Sequence, residues 1–106
     1  MKRHRLLFQE EFWPDITAGK KTATIRLSAA PFRPDETVAV AKTRYSRYEE
    51  APMFLKIKGI QRLLFRDITD GHLSKTGVTR DWYRKRYKDR LNDFTEVTYI
   101  EFEVVA

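Results

Sequence analysis

A small α+β domain, in which short strands form a mixed or antiparallel barrel, is the fold class that the sequence predicts. The 106 residues are enough for one domain, and a hydrophobic fraction of 42% is enough for one core. Short β-rich segments are interrupted by loops and by two helical segments, which favours a barrel over a doubly wound sheet. We therefore expect residues 1–106 to form a single domain with two or three short helices.

The first half of the chain is predicted to contain one helix and three strands. Phe12, Trp13 and Ile16 have the spacing of an amphipathic helix over residues 10–18, with Trp13 expected in the core. Gly19 follows directly, at the position where glycine commonly ends a helix. Apolar and β-branched residues predict strands at 5–8, 22–27 and 37–41, and two prolines place a loop at 28–35.

Two further strands are predicted in the second half. One lies within 53–65, where Gly59 indicates a bulge. The other covers 96–105 and has the most regular alternation in the chain. Between them, residues 67–78 are expected to form a loop or one short helical turn.

A basic helix is predicted just before the last strand. Thr79 suits its N-cap position, and the helix is expected to run to about Leu91. Tyr83 and Tyr87 fall on the same stripe as Leu91, so this face should pack on the core, with Trp82 beside it.

The segment Gly19-Lys20-Lys21-Thr22-Ala23-Thr24-Ile25-Arg26 resembles the signature of the ASCH family, in which a glycine and a lysine precede a polar residue and an arginine at fixed spacing. Most ASCH proteins carry glutamate at the position of Thr24. A small bacterial subgroup, whose members remove the acetyl group from N4-acetylcytidine, carries threonine there. Weaker similarity extends over most of the chain, at 8–10, 15–19, Phe32, Asp35, His72 and 99–102.

The resemblance implies a PUA-like β-barrel with a cleft above its strands, and roles for two side chains. Lys21 would be the base for the Thr24 hydroxyl, which would attack an amide carbonyl and form an acyl-enzyme. A lysine pKa is ordinarily about 10.4, so burial or a nearby cation such as Arg26 must favour the neutral amine. Arg26 could also stabilise an oxyanion or bind a phosphate.

This chemistry sets a condition on local geometry. Residues three apart in a regular strand point to opposite faces, so Lys21 and Thr24 can meet only if Lys21 still lies in the turn after Gly19. Without the family resemblance, Lys20 and Lys21 are also explained as cations at a helix C-terminus, and Thr24 as an ordinary strand residue.

The chain departs from the amidohydrolase subgroup at one position. That subgroup has a catalytic glutamate a few residues after the histidine matched by His72, and Thr76 stands there instead. No carboxylate occurs between Asp70 and Asp81. Either another acid such as Asp70 or Glu49 substitutes, or the activity is changed or lost. A structural or solvent-facing role is the simpler explanation for His72.

The net charge of +6, from 21 basic and 15 acidic residues, favours polyanionic partners such as single-stranded RNA. Arg80, Arg84 and Lys88 share one face of the last helix, where they would either follow phosphates or form a solvated outer surface.

The loop at 44–48 interleaves arginines with tyrosines. Bases stack on tyrosine and arginine binds phosphate, although a hairpin tip whose tyrosines pack on the barrel fits the same pattern. The candidate substrate-binding residues are therefore Arg26, Tyr45, Arg47, Tyr48, Arg80 and Arg84.

Other classes of site are not expected. The chain has no cysteine, and His4 and His72 are too far apart to suggest a metal site, so we predict neither metal nor cofactor. No apolar run approaches the roughly 20 residues that span a bilayer, and three apolar residues before Glu10 are too few for a secretory segment. A cytoplasmic protein without a membrane partner is expected.

These observations leave three hypotheses. The first is a nucleoside-directed amidohydrolase that removes the N4-acyl group of cytidine, with Lys21 as base and Thr24 as nucleophile. The second is a non-catalytic RNA-binding module with a basic cleft, which the missing carboxylate favours. A third and weaker one is a ribonuclease.

Overall fold

The computed structural model describes residues 3–105, which form five strands and three α-helices joined by loops and 3-10 turns. The strands are β1 (Arg5–Leu7), β2 (Ala23–Arg26), β3 (Thr37–Ala41), β4 (Phe54–Leu64) and β5 (Glu96–Val104). The α-helices are α1 (Trp13–Thr17), α2 (Asp70–Thr76) and α3 (Arg80–Tyr87). The 3-10 turns are Glu10–Phe12, Tyr48–Glu50, Phe65–Asp67 and Lys88–Arg90.

All five strands belong to one mixed sheet in the order β1-β3-β4-β5-β2. The β1–β3 pair is parallel and the other pairs are antiparallel. The β4–β5 register shifts between Ile57 and Gly59, so the predicted bulge is confirmed. The α+β fold class with short helices is also confirmed.

Both faces of the sheet are covered. Ile100 and Phe102 of β5 belong to one buried apolar cluster, together with residues of β1, β3 and β4. Val97 and Tyr99 belong to a second cluster, which includes residues of β2, α2 and α3. Because successive residues of a strand point to opposite faces, β5 contributes side chains to both cores.

The structure corrects the expectation for residues 67–78. In place of a loop or a single turn, α2 forms a seven-residue helix. Thr69 caps it by accepting from the backbone N–H of His72, while His72 Nδ1 accepts from the backbone N–H of Thr69. Gly77 ends the helix with a φ of 76°. Histidine stands where a capping box usually has glutamate or glutamine, so the sequence lacks the usual pattern that predicts the start of a helix.

The other two helices are shorter than predicted. The first three residues of the predicted 10–18 helix form a 3-10 turn, and Gly19 takes a φ of 75° after α1. Thr79 caps α3 by accepting from the N–H of Trp82 at 3.1 Å, as predicted. However, α3 ends at Tyr87, because Lys88 has a φ of 49°.

Trp13 and Trp82 were expected in the core, and both are only half-buried. The indole of Trp13 donates to the carbonyl of Phe8, while Trp82 packs edge-on against Phe12. Across residues 3–105, no helix has the length and apolar character needed to cross a bilayer.

Candidate active site

Lys21 lies in irregular backbone between α1 and β2. The N–H groups of Lys20 and Lys21 both donate to the carbonyl of Asp15, at 2.9 and 3.1 Å, so the turn after Gly19 continues through Lys21. The strand begins only at Ala23. The alternation that would send Lys21 and Thr24 to opposite faces therefore does not apply.

Both side chains reach the same cavity, which has a volume of about 300 Å³. Both residues are buried, with 4% of Lys21 and 1% of Thr24 exposed. The cavity lies beside the ends of β1 and β2 and is closed on one side by α3. Its other lining residues are Leu7, Phe8, Gln9, Phe12, Arg26, Trp82, Tyr83, Arg86 and Tyr87.

The amine of Lys21 is held in place by one backbone group and two rings. Nζ donates to the carbonyl oxygen of Thr76 at 2.5 Å. It also lies 5.1 Å from the ring centroid of Phe12 and 5.7 Å from that of Phe8. The pKa of Lys21 is lowered to about 8, first by burial and second by the positive charge of Arg26, while the negative charge of Asp15 acts in the opposite direction.

Arg26 joins the two edge strands of the sheet. Its Nη2 donates to the carbonyl of Leu7, the last residue of β1, at 2.6 Å. Its Nη1 donates to the Thr24 hydroxyl oxygen and, at 3.2 Å, to the carbonyl of Ile25. The guanidinium carbon lies 4.9 Å from the ring centroid of Phe8. Burial lowers the pKa of Arg26, and the hydroxyls of Tyr87 and Tyr83 act in the opposite direction.

This arrangement suits activation of the Thr24 hydroxyl. Because the oxygen accepts from Arg26, its own proton remains available to a base, and the guanidinium favours the charge that would develop on loss of that proton. Among the described residues no hydrogen bond joins Lys21 to Thr24. Catalytic hydrogen bonds are often completed only when substrate is bound.

No carboxylate lines the cavity within residues 3–105. Thr76 is fully buried, and its hydroxyl donates to the carbonyl of Leu73 at 2.7 Å. Neither suggested substitute acid lies at the cavity. Glu49 pairs with Arg3 at 2.8 Å, and Asp70 lines a separate depression at the start of α2.

The structure places the loop at 44–48 away from the cavity lining. Tyr45 is 80% exposed and lies under the guanidinium of Arg44, at 5.1 Å. The ring of Tyr48 packs at 5.2 Å on Phe54, as expected for a tyrosine that contacts the barrel. Arg47 lies 3.9 Å from Glu50.

Arg80 and Arg84 also lie outside the cavity. The guanidinium of Arg80 donates to two backbone carbonyls, of Phe65 at 3.2 Å and of Ile68. Arg84 pairs with Asp81 at 3.5 Å and with Asp93 at 3.3 Å. The geometry thus separates these two residues, with the 44–48 loop, from Lys21, Thr24 and Arg26.

Several cavity residues were not recognised in the sequence as site residues. The sequence predicts a core position for Tyr83, Tyr87 and Trp82, and in the structure these residues form the wall of the cavity on the side of α3. Arg86 flanks the predicted basic face of the helix, but it is three positions from Tyr83 and so lies on the same side of the helix as that residue. That spacing was the signal available in the sequence.

The fold is that of ASCH-domain proteins. The ASCH protein from Zymomonas mobilis superposes with a TM-score of 0.73 at 14% identity, over 94% of this chain and 68% of that one. The ASCH domain from Lactobacillus crispatus JV V101 gives 0.64 at 10% identity, over 86% and 68%. The hypothetical protein PH0355 gives 0.72 at 22% identity, over 98% and 100%. No family model matches the chain.

Sequence similarity assigns the family. A protein of Vibrio atlanticus (strain LGP32) named N(4)-acetylcytidine amidohydrolase is 30% identical over 103 residues, which cover 94% of each chain. The chain belongs to the ASCH family that contains this protein.

Proposed function

We propose that this protein is an amidohydrolase that removes the N4-acyl group of acylated cytidine, with Thr24 as nucleophile and Lys21 as base. The observation that carries the proposal is the burial of both side chains in one cavity, with Arg26 donating to the Thr24 hydroxyl oxygen. The printed name of the Vibrio relative supports the choice of substrate.

The reaction would proceed in two halves. Neutral Lys21 takes the Thr24 proton as the oxygen attacks the acyl carbonyl carbon, and the negative charge on the former carbonyl oxygen is stabilised by Arg26. The tetrahedral intermediate collapses, the C–N bond breaks, and Lys21 returns the proton to the leaving N4 amine. Water then attacks the Thr24 ester with Lys21 again as base, releasing the carboxylic acid and restoring the hydroxyl.

The pKa of Lys21 fits this role. With a pKa of about 8, roughly a tenth of the amine is neutral at pH 7, against less than about a thousandth for an ordinary lysine. The hydrogen bond to Thr76 holds the nitrogen in place in either protonation state, because a neutral amine still has protons to donate.

The cavity walls suit a nucleobase. Phe8, Phe12 and Trp82 offer aromatic surfaces of the kind on which bases stack. A volume of about 300 Å³ lies at the lower end of the range for small-molecule sites and is in keeping with one nucleoside.

The proposal is tested by incubating purified protein with N4-acetylcytidine and separating the products by chromatography. We expect cytidine and acetate in equal amounts, and no products with Thr24→Val. Lack of turnover at high enzyme concentration would refute the proposed amidohydrolase activity.

A second candidate is a nucleoside- or RNA-binding module without hydrolysis, which the absence of a carboxylate from the described cavity lining favours. It predicts saturable binding of N4-acetylcytidine or single-stranded RNA to the wild type with no cleavage. Calorimetry measures the binding, and chromatography of the same samples shows whether the ligand is cleaved.

A further inference from the structure

A second cavity, of about 310 Å³, adjoins the first. Leu7, Arg26 and Tyr87 line both cavities, so the hydrogen bond from Arg26 to Leu7 stands where the two meet. The second cavity is bounded by β1, by the loop after β2 and by the 3-10 turn after α3. Arg5 and Arg90 contribute its remaining cationic groups.

The positive charge of this cavity is uncompensated. No carboxylate lines it, and within residues 3–105 neither the Arg5 nor the Arg90 side chain has an ion-pair or hydrogen-bond partner. The Nε of Arg5 is buried without an acceptor. By contrast, Arg62 pairs with Glu96 at 2.7 Å and Arg84 with two aspartates. Unpaired buried donors are costly, so an anionic ligand would stabilise this arrangement.

Tyr87 lines both cavities, and the guanidinium groups of two arginines lie close to its ring. The guanidinium carbons of Arg86 and Arg90 lie 6.0 and 5.6 Å from its ring centroid. Arg86 lines the first cavity and Arg90 the second. A ligand that extends from one cavity to the other past Tyr87 therefore meets an arginine in each.

We propose that the substrate is a phosphorylated nucleoside, whose acylated base occupies the first cavity and whose ribose phosphate binds Arg5 and Arg90 in the second. The inference rests on the proposed function for the placement of the base. A neutral nucleoside would leave Arg5 and Arg90 without a partner, whereas arginine forms paired, charge-assisted hydrogen bonds with phosphate. The phosphate belongs either to a free mononucleotide or to an RNA strand.

The test is direct binding, by calorimetry at low salt, of cytidine, cytidine 5′-monophosphate, cytidine 3′-monophosphate and the trinucleotide of cytidine. These ligands have no acyl group, so the result does not depend on hydrolysis. We expect at least one monophosphate to bind about tenfold more tightly than cytidine. Tighter binding of the trinucleotide than of both monophosphates would assign the phosphate to RNA, and equal binding would assign it to a free nucleotide.

Variants locate the phosphate. Arg90→Gln and Arg5→Gln should each reduce the advantage of the monophosphate over cytidine, measured with the same variant, to about twofold. Arg66→Gln is the matched control, because Arg66 is an exposed arginine that lines neither cavity. Since Arg90 is exposed, its variant should fold even if Arg5→Gln does not. Equal affinity for cytidine and both monophosphates, or an advantage that survives Arg90→Gln, would overturn the proposal.

Discussion

The last helix and its following turn carry two pairs of arginines that resemble each other in the sequence and differ in the structure. Arg80 and Arg84 are engaged by the protein itself, through backbone carbonyls and aspartates. Arg86 and Arg90 flank Tyr87 beside the two cavities, and within residues 3–105 no ion-pair or hydrogen-bond acceptor is found for their side chains. A cation whose donors are satisfied within the fold contributes to stability, and one that is left unsatisfied beside a cavity is available to a ligand.

The largest expected effect is the difference in kcat/KM between a variant inside the cavity and a variant on the exposed side of α3. Lys21→Met should lower kcat/KM for N4-acetylcytidine by about 10²–10⁴-fold, because it removes the base and retains an apolar side chain of similar length. Lys85→Met, on the exposed side of α3, is the control and should leave kcat/KM unchanged. Steady-state kinetics measure both, and equal losses would mean that the cavity is not the site.

The pH dependence of kcat/KM is a second test of Lys21 as the base in the cavity. Only the neutral amine of Lys21 can accept a proton, and burial lowers the pKa of Lys21 to about 8. Below that value, kcat/KM should therefore rise about tenfold per pH unit and level off above it. The background rate is measured with Thr24→Val at each pH. A rate independent of pH between about pH 6 and pH 8 would contradict the assignment of Lys21 as the base.

Arg80 and Arg86 should show opposite kinds of effect. Arg80→Gln removes the guanidinium donor from the carbonyls of Phe65 and Ile68, so we expect the free energy of unfolding to fall by about 1–3 kcal/mol with little change in kcat/KM. Arg86→Gln should leave stability unchanged and raise KM a few-fold, because Arg86 lines the cavity. Denaturant titrations and kinetics on both variants test the pair. A lower kcat with Arg80→Gln, measured on fully folded protein, would show that Arg80 contributes to the active site.

The smallest effect is expected at the 44–48 loop. Tyr45 is largely exposed and lines no part of the cavity, so Tyr45→Ser should change KM for N4-acetylcytidine by less than about twofold. A several-fold increase in KM would show that the loop closes over the substrate.

Much of the fold could be predicted from local sequence rules. The strand positions, the bulge at Gly59 and the cap at Thr79 depend on residues close together in the chain, and the structure confirms them. The helix α2 was missed because it is short and its capping box uses His72 in place of an acidic or amide residue.

The residues of the site could be predicted from the sequence only in part, for a different reason. The geometric condition for Lys21 and Thr24 could be stated because it depends on one turn, and the structure meets it. The engagement of Arg80 by distant carbonyls and the wall formed by Tyr83 are tertiary contacts, which helical spacing alone cannot distinguish from a binding face or a core.

A single-turnover experiment with enzyme in excess over N4-acetylcytidine tests the central claim most directly. Samples quenched at short times are assayed for free cytidine and, by mass spectrometry of peptides, for acetyl groups on the protein. We expect cytidine release to coincide with acetylation of Thr24, and Thr24→Val to abolish both. Cytidine release by Thr24→Val at the wild-type rate would contradict the assignment of Thr24 as the nucleophile.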